Sequence, residues 1–198
     1  GNLISLYAAP RARLNGANIT PPVVTNLVGT VDTFVSPEVI DYRLIVKGLP
    51  LQDNNLEVSL HVDGPGQPEM FHLCSTPNRF ISPFPPACSI TDGVLDLSAF
   101  VIDYDLLPGA AGAGVLNFSD AVDALLAGKA YVNVRTTTNP GGAIRGTLDS
   151  SRIGVATVNA EGGWEFRGKA RFLPGFLPNV TARSSLGTQT YGTPLRLR

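Results

Sequence analysis

Apolar and polar residues alternate with a period of two along much of the chain, which is typical of half-buried β-strands. The alternation is clearest in residues 42–47, 56–63 and 164–172, where apolar side chains occupy one face and polar or charged ones the other. Residues 131–137 and 143–148 are also rich in β-forming residues, and an Asn-Pro-Gly-Gly turn separates them, which predicts a β-hairpin. We therefore expect antiparallel strands with a polar outer face.

One segment has a helical pattern. Residues 120–127 are flanked by Ser119 or Asp120 as a candidate N-cap and by Gly128 just past the end. The small residues of Gly109–Gly114 predict a loop. Many short strands, Gly- and Pro-rich turns and a single short helix predict an all-β fold, an antiparallel β-sandwich of Greek-key or immunoglobulin-like type with its helix near 120–127.

The composition argues against nucleic-acid binding and against a membrane-spanning segment. The chain has 198 residues, of which 43% are hydrophobic, so it can bury a sizeable core. Charged residues make up only 16%, the net charge is -1, and there is no basic run, which argues against nucleic acid as a partner. No apolar stretch approaches the roughly 18–20 residues that span a bilayer, so we expect no membrane span.

Two cysteines, Cys74 and Cys88, flank a proline-rich stretch. A disulfide between them would close a loop of about 15 residues and contribute roughly 3 kcal/mol in the chain-entropy model. The even number of cysteines and the absence of a C-x-x-C spacing favour this disulfide. The alternative is a pair of free, buried thiols.

Three N-x-[ST] sequons begin at Asn18, Asn117 and Asn179. They are candidate glycosylation sites in a secretory context. Three sequons in a chain of this length exceed chance only slightly, so they support a secreted protein weakly.

Residues 125–148 read LLAGKAYVNVRTTTNPGGAIRGTL. This segment resembles the signature of the CHRD domain family, in which Tyr-Val-Asn-Val-His-Thr precedes Asn-Pro-Gly-Gly-Glu-Ile-Arg-Gly-Gln. The candidate motif residues that match are Tyr131, Asn133, Thr136, Asn139, Pro140, Gly141, Gly142, Arg145 and Gly146. Arg135 stands where the family has His, Ala143 where it has Glu, and Thr147 where it has Gln.

Upstream, the segment around His61 and Gly64 resembles the family's His-x-His-x-Gly segment, with Asp63 at the second His position. The resemblance covers about residues 30–149. It implies a β-sandwich-like fold, an extracellular location and no established catalytic activity.

The motif residues are interpreted as determinants of the fold. The turn residues tolerate positive φ, and Gly146 leaves room for a close approach of backbone within a strand. Arg145 is expected to pair with an acidic neighbour or to donate to backbone carbonyls.

Residues for a metal site are few. His61 and Asp63 share a strand face, and His72 could join them. However, Asp63 and Arg135 replace histidines of the family, and a guanidinium near the site would oppose a cation. We therefore expect no metal and no cofactor.

Residues for catalysis are also few. The chain has no Gly-x-Ser-x-Gly elbow and no convincing Cys–His pair. The pair Asp103 and Asp105 is interpreted as loop caps rather than a glycosidase dyad. We expect no catalytic residues and no enzyme.

The N-terminal segment, residues 2–9, is apolar and β-prone, and a free tail of this kind would be prone to aggregate. Leu3, Ile4, Leu6 and Tyr7 are therefore assembly candidates, because the segment could insert into a neighbouring copy by donor-strand pairing. The alternative is an ordinary edge strand of the same domain, which has the same sequence pattern.

We expect an N-terminal tail over residues 1–22, a CHRD-like sandwich over 23–149, and C-terminal strands over 150–198 that extend the same domain. The predicted function is a non-enzymatic, extracellular structural subunit that partners with itself in a filament or matrix. The alternative is a monomeric extracellular module that binds a secreted protein or a glycan.

Overall fold

The computed structural model of the chain describes residues 3–76, 85–150, 152–157, 179–184 and 190–194. In these ranges the elements are β1 (Leu3–Ala8), β2 (Arg11–Leu14), β3 (Val28–Val35), β4 (Val39–Lys47), β5 (Glu57–Val62), β6 (Glu69–Ser75), β7 (Ile90–Thr91), β8 (Val94–Ile102), α1 (Phe118–Leu126), β9 (Ala130–Arg135), β10 (Ile144–Thr147), β11 (Arg152–Thr157), β12 (Asn179–Ser184) and β13 (Thr190–Pro194). Short 3-10 helices cover Gly16–Asn18, Asp103–Asp105 and Pro108–Ala113.

Two antiparallel sheets form a sandwich, as the sequence predicted. The five-stranded sheet has the order β2-β3-β4-β8-β7, and the four-stranded sheet has the order β10-β9-β5-β6. Their inner faces and α1 enclose one apolar core. Burial of this apolar surface is the main force that stabilises the sandwich.

The centre of the five-stranded sheet shows the predicted alternation. On β4 the side chains of Tyr42, Leu44 and Val46 are buried, whereas Arg43 and Lys47 face solvent. The Tyr42 hydroxyl donates to the Leu73 carbonyl of β6 at 2.6 Å, and this bond links the two sheets across the core. Burial raises the pKa of Tyr42 far above its ordinary value, so the hydroxyl stays a donor.

The predicted helix is present, but its cap is different. It begins at Phe118, and Asn117 is the N-cap, because the Asn117 side chain accepts from the backbone N–H of Asp120 at 3.1 Å. The prediction of Ser119 or Asp120 as the cap was wrong. No helix in the described part of the chain has the length and apolar character to cross a membrane.

The segment Gly109–Gly114, predicted as a loop, instead contributes to a 3-10 helix that spans Pro108–Ala113. Proline at its first position is preorganised for helical φ, and the helix ends at Gly114 with a φ of 84°. The backbone N–H of Leu107, which precedes this helix, donates to the Met70 carbonyl at 2.9 Å and ties the segment to β6.

The predicted hairpin is confirmed: β9 and β10 pair antiparallel, with Val132 opposite Gly146. Here β10 also meets β2 of the other sheet, because Asn15 and Arg145 exchange two backbone hydrogen bonds of 3.1 Å each. A Cβ at Gly146 would lie 2.3 Å from the carbonyl oxygen of Arg13. Glycine at this position therefore allows the two sheets to join at one corner. This agrees with the prediction that Gly146 leaves room for a close approach of backbone.

A third sheet combines the two ends of the chain in the order β11-β1-β12-β13. In this single chain β1 pairs antiparallel with β11 on one side and with β12 on the other. It is thus an internal strand of this sheet rather than an edge strand. The strand predicted over residues 164–172 lies outside the described residues.

The predicted disulfide between Cys74 and Cys88 is formed. Cys74 lies on β6, and both cysteines are buried in the core cluster. Thr76 donates its hydroxyl to the Cys88 carbonyl at 3.0 Å, so a hydrogen bond supports the covalent link.

Candidate functional site

The outer face of the four-stranded sheet carries a buried polar site. Ser59, His61 and Asn133 point away from the apolar core, yet only 0%, 4% and 1% of their surfaces are exposed. His61 lies on the outer face of its strand, where the sequence predicted polar residues, but its side chain is buried rather than exposed. The loop between β5 and β6 approaches this face, and its residue Gln67 covers the imidazole.

Two hydrogen bonds fix the imidazole of His61. The Gln67 backbone carbonyl can only accept, so Nδ1 of His61 donates to it at 2.9 Å. In the neutral ring Nε2 then accepts from the Ser59 hydroxyl, also at 2.9 Å. Burial lowers the pKa of His61, and the hydrogen bond to Gln67 and the charge of Glu69 oppose this shift only in part.

Tyr131 joins His61 to Arg145. The Tyr131 ring stacks on the imidazole with centroids 4.9 Å apart, and the Arg145 guanidinium lies 4.3 Å from the centre of the Tyr131 ring. The Gln67 side-chain oxygen accepts from the Tyr131 hydroxyl at 3.2 Å and from Arg145 at 3.3 Å. The expectation of a carboxylate or backbone partner for Arg145 was therefore wrong: it contacts an aromatic ring and an amide oxygen.

A charged cluster lies beside this stack and consists of Glu57, Glu69, His72 and Arg135. Arg135 Nη1 contacts Oε1 of Glu69 at 2.5 Å and Oε1 of Glu57 at 3.4 Å. His72 Nδ1 lies 3.6 Å from Glu57 Oε1 and 3.7 Å from Glu69 Oε2. The four side chains are all partly buried, so their charges are screened less than those of surface pairs.

One irregularity of register, beside Met70, brings Glu69 and His72 to the same face. Opposite β5, the partners of Ser59 and His61 are His72 and Glu69, which are three residues apart along β6. The register shifts next to Met70, and an irregularity of this kind changes which face the following residues occupy. An uninterrupted strand would have placed Glu69 and His72 on opposite faces.

The metal set considered from sequence does not assemble. Asp63 is exposed just beyond the end of β5 and is not part of the group of clustered ligand atoms. Among the described residues, the group whose ligand atoms all lie within 4.8 Å of one another is Glu57, Glu69 and His72. Sequence reasoning missed both glutamates, and their spacing of twelve residues offers no recognisable metal signature.

The turn residues of the β9–β10 hairpin have structural roles. Asn139 accepts and donates backbone hydrogen bonds with Thr136, and Gly142 has a φ of 137°. A Cβ at Gly142 would lie 2.6 Å from Oδ1 of Asn133, so glycine is required there on both grounds. Asp53, which sequence reasoning missed, accepts from the backbone N–H and the hydroxyl of Thr137.

The remaining motif and cap positions lie in turns. Pro140 and Gly141 continue the β9–β10 turn, and Gly64 begins the loop that carries Gln67. Asp105 accepts from the backbone N–H of Ile102, and Asp103 accepts from that of Phe118, as expected of loop caps.

The sequons at Asn18 and Asn117 lie at exposed positions. The side-chain amide of Asn18 donates to the Arg145 carbonyl at 2.9 Å. Asn179 begins β12.

A second surface feature lies on the outer face of the five-stranded sheet. A shallow groove of about 470 Å³ is lined by Phe34, Phe100, Asp32, Asp41 and Arg43, among others. The side chain of Phe100 is 59% exposed. Aromatic faces beside carboxylates and a guanidinium suit a polar ligand with an apolar face.

Comparison with known proteins adds one finding. The family model described as the CHRD domain matches residues 11–148, which includes every strand of the two sandwich sheets. No curated protein and no solved structure matches the chain.

Proposed function

The chain belongs to the CHRD domain family, and from this premise we propose that it is a non-enzymatic, extracellular structural protein whose copies assemble by exchange of β1. The CHRD domain is a non-enzymatic domain family. The Cys74–Cys88 disulfide supports an extracellular location, because disulfides persist in oxidising compartments.

The polar site does not favour catalysis. Ser59 and His61 have the separation of a nucleophile and its base, 2.9 Å. However, Ser59 is completely buried, and Nδ1 of His61 is bonded to a backbone carbonyl rather than to a carboxylate. A substrate carbonyl could not reach the hydroxyl, so the pair is better explained as part of a rigid polar network.

The observation that carries the proposal is the position of β1 between β11 and β12. Ile4 lies opposite Ala156 on one side and opposite Ser184 on the other, so both edges of β1 are paired. Both neighbouring strands come from the region after residue 148, outside the family match. The end of the chain therefore builds a slot for an N-terminal strand, and the matched sandwich has its own sheets and core.

The connection between β1 and β2 suits strand exchange. It consists of Ala9 and Pro10, and the Pro10 carbonyl accepts from both the backbone N–H and the hydroxyl of Thr33. Pro10 is thus held against β3, and a change of direction at Ala9 would send β1 into the slot of another copy. The same ladder would form between copies, and head-to-tail exchange that does not close produces a fibre.

A disulfide trap tests the proposal on the full chain. Leu6 and Ala182 are opposite each other in the β1–β12 ladder, so we would examine Leu6→Cys/Ala182→Cys after mild oxidation. The control is Ala182→Cys/Tyr191→Cys, a pair within the β12–β13 ladder that stays within one copy in either arrangement. We expect a covalent ladder of multiples of about 21 kDa only for the first variant.

Light scattering and negative-stain microscopy give the second readout. Native polymers that disappear when residues 1–9 are removed would support assembly through β1. A monomer near 21 kDa, with the trapped variant also monomeric, would refute it.

The groove beside Phe100 favours a second candidate, an extracellular module that binds a glycan or a secreted protein. Exposed aromatic residues on a sheet face are typical of such sites. If the protein is monomeric, Phe100→Ala should abolish retention on immobilised glycans, whereas Tyr104→Ala, at an exposed aromatic outside the groove lining, should not. Equal retention of both variants would contradict binding in the groove.

A further inference from the structure

The charged cluster contains a group of side chains with the chemistry of a metal site. Glu57, Glu69 and His72 present two carboxylates and one imidazole within 4.8 Å of one another. We propose that these three residues bind a divalent first-row transition metal cation such as Zn²⁺. This site is independent of β1 and goes beyond the structural function proposed above.

The distances are close to those of a tetrahedral centre. Zinc bonds of about 2.0–2.1 Å at tetrahedral angles separate neighbouring ligand atoms by roughly 3.3–3.4 Å. His72 Nδ1 lies 3.6 Å from Glu57 Oε1 and 3.7 Å from Glu69 Oε2. The two imidazole–carboxylate distances therefore need to contract by only a few tenths of an ångström. The oxygens of the two glutamates lie within 4.8 Å of each other, and side-chain torsions can bring them together.

Partial burial leaves one side open. The side chains of His72, Glu57 and Glu69 are 11%, 17% and 22% exposed, so the ligands are largely held by protein while solvent still reaches them. Three protein ligands and a water in the fourth position form a familiar zinc arrangement. The imidazole and the small number of oxygen ligands favour a transition metal over calcium, which takes six to eight oxygens.

The positive charge of Arg135 disfavours a cation at this site, because its guanidinium lies beside the two carboxylates. However, Glu69 contacts Arg135 through Oε1 and faces His72 through Oε2, so its two oxygens have different partners. Hydrogen bonds of this kind orient the carboxylates that bind metals. Oε1 of Glu57 is shared, at 3.4 Å from Arg135 Nη1 and 3.6 Å from His72 Nδ1, and a cation would have to replace its longer contact with the guanidinium. An imidazole that binds a metal is neutral, so the two carboxylates and Arg135 carry a net charge of -1, which still attracts a divalent cation.

Calorimetric titration of the chelator-treated full chain with ZnCl₂ near neutral pH tests the proposal. We expect one Zn²⁺ per chain, and at least a tenfold weaker affinity in His72→Gln, because an amide replaces the imidazole ligand. Asp63→Asn is the matched control: it removes an exposed carboxylate of the same region and should change the affinity less than twofold.

A second readout guards against a folding defect. Zn²⁺ should raise the melting temperature of the wild-type protein and of Asp63→Asn, but not that of His72→Gln or Glu57→Gln. Absence of binding to the wild-type protein would overturn the proposal. Unchanged affinity in both His72→Gln and Glu57→Gln would also overturn it, because the cation would then bind elsewhere.

Discussion

Replacement of Gly146 with alanine tests how the two sheets of the sandwich are joined. The added Cβ would lie 2.3 Å from the Arg13 carbonyl oxygen and 2.9 Å from Cδ2 of Leu14. Cβ atoms essentially never approach another heavy atom within 3.0 Å, so β2 must move away by at least the difference, 3.0 − 2.3 = 0.7 Å. The nearest atom belongs to the backbone and cannot rotate out of the way.

The expected loss follows from two contributions. Overpacking of this kind costs about 1–3 kcal/mol. The shift also weakens the two backbone hydrogen bonds between Asn15 and Arg145, each worth about 0.5–1.5 kcal/mol. Alanine returns less than about 1 kcal/mol by restricting the unfolded chain. The free energy of unfolding should therefore fall by about 1–6 kcal/mol, a large part of the roughly 5–15 kcal/mol typical of a domain.

Urea unfolding followed by far-UV circular dichroism measures this loss. Gly141→Ala is the matched control, because a Cβ there meets no atom within 4 Å and the residue does not have positive φ. Its unfolding free energy should stay within about 0.5 kcal/mol of the wild-type value. A Gly146→Ala protein within 1 kcal/mol of wild type, or an equal loss in both variants, would refute the close-approach argument.

Three further predictions concern single contacts. Tyr42→Phe removes the donor to the Leu73 carbonyl, so the free energy of unfolding measured in urea should be about 1–3 kcal/mol lower than in the wild type. Cys74→Ala/Cys88→Ala should lose about 2–4 kcal/mol, and a reducing agent should lower the melting temperature of the wild-type protein but not of this variant. Burial holds the pKa of His61 below its ordinary 6.5, so the unfolded chain binds the proton before the folded chain does as the pH falls. The folded state should therefore keep its full stability above pH 6.5 and lose stability below it. Urea midpoints at about pH 7.5 and about pH 5.5 should therefore differ more in the wild type than in His61→Gln, and equal differences would contradict the assignment.

The strands and the hairpin could be predicted from sequence because their signals are local. The apolar positions of β4 recur every second residue and lie in the core as expected. The turn Asn139–Gly142 was also predicted, because Asn, Pro and Gly are typical turn residues, and Gly142 has a positive φ of 137°. The role of Gly146 was also predicted, because a glycine inside a strand indicates that another part of the backbone approaches closely.

Details that depend on neighbouring elements could not be predicted. The N-cap of α1 is Asn117 rather than the next polar residues, because the side chain that reaches the free N–H depends on how the chain enters the helix. Arg145 contacts Tyr131 and Gln67 because β9 and the loop after β5 meet above it. No local sequence pattern predicts that these two segments lie next to each other.

The sequence alone determined that the segments of β4, β5, β9 and β10 are strands and which turn joins the central hairpin, and it favoured the Cys74–Cys88 disulfide over free thiols. Only the tertiary structure decided which polar residues come together. Alternation with a period of two assigns a residue to one face of a sheet as long as the strand pairing is regular. The single register shift beside Met70 breaks that rule between Glu69 and His72. In the same way, the apolar pattern of residues 2–9 predicts a strand but not its partners, because backbone hydrogen bonds to β11 and β12 are the same whichever copy supplies them.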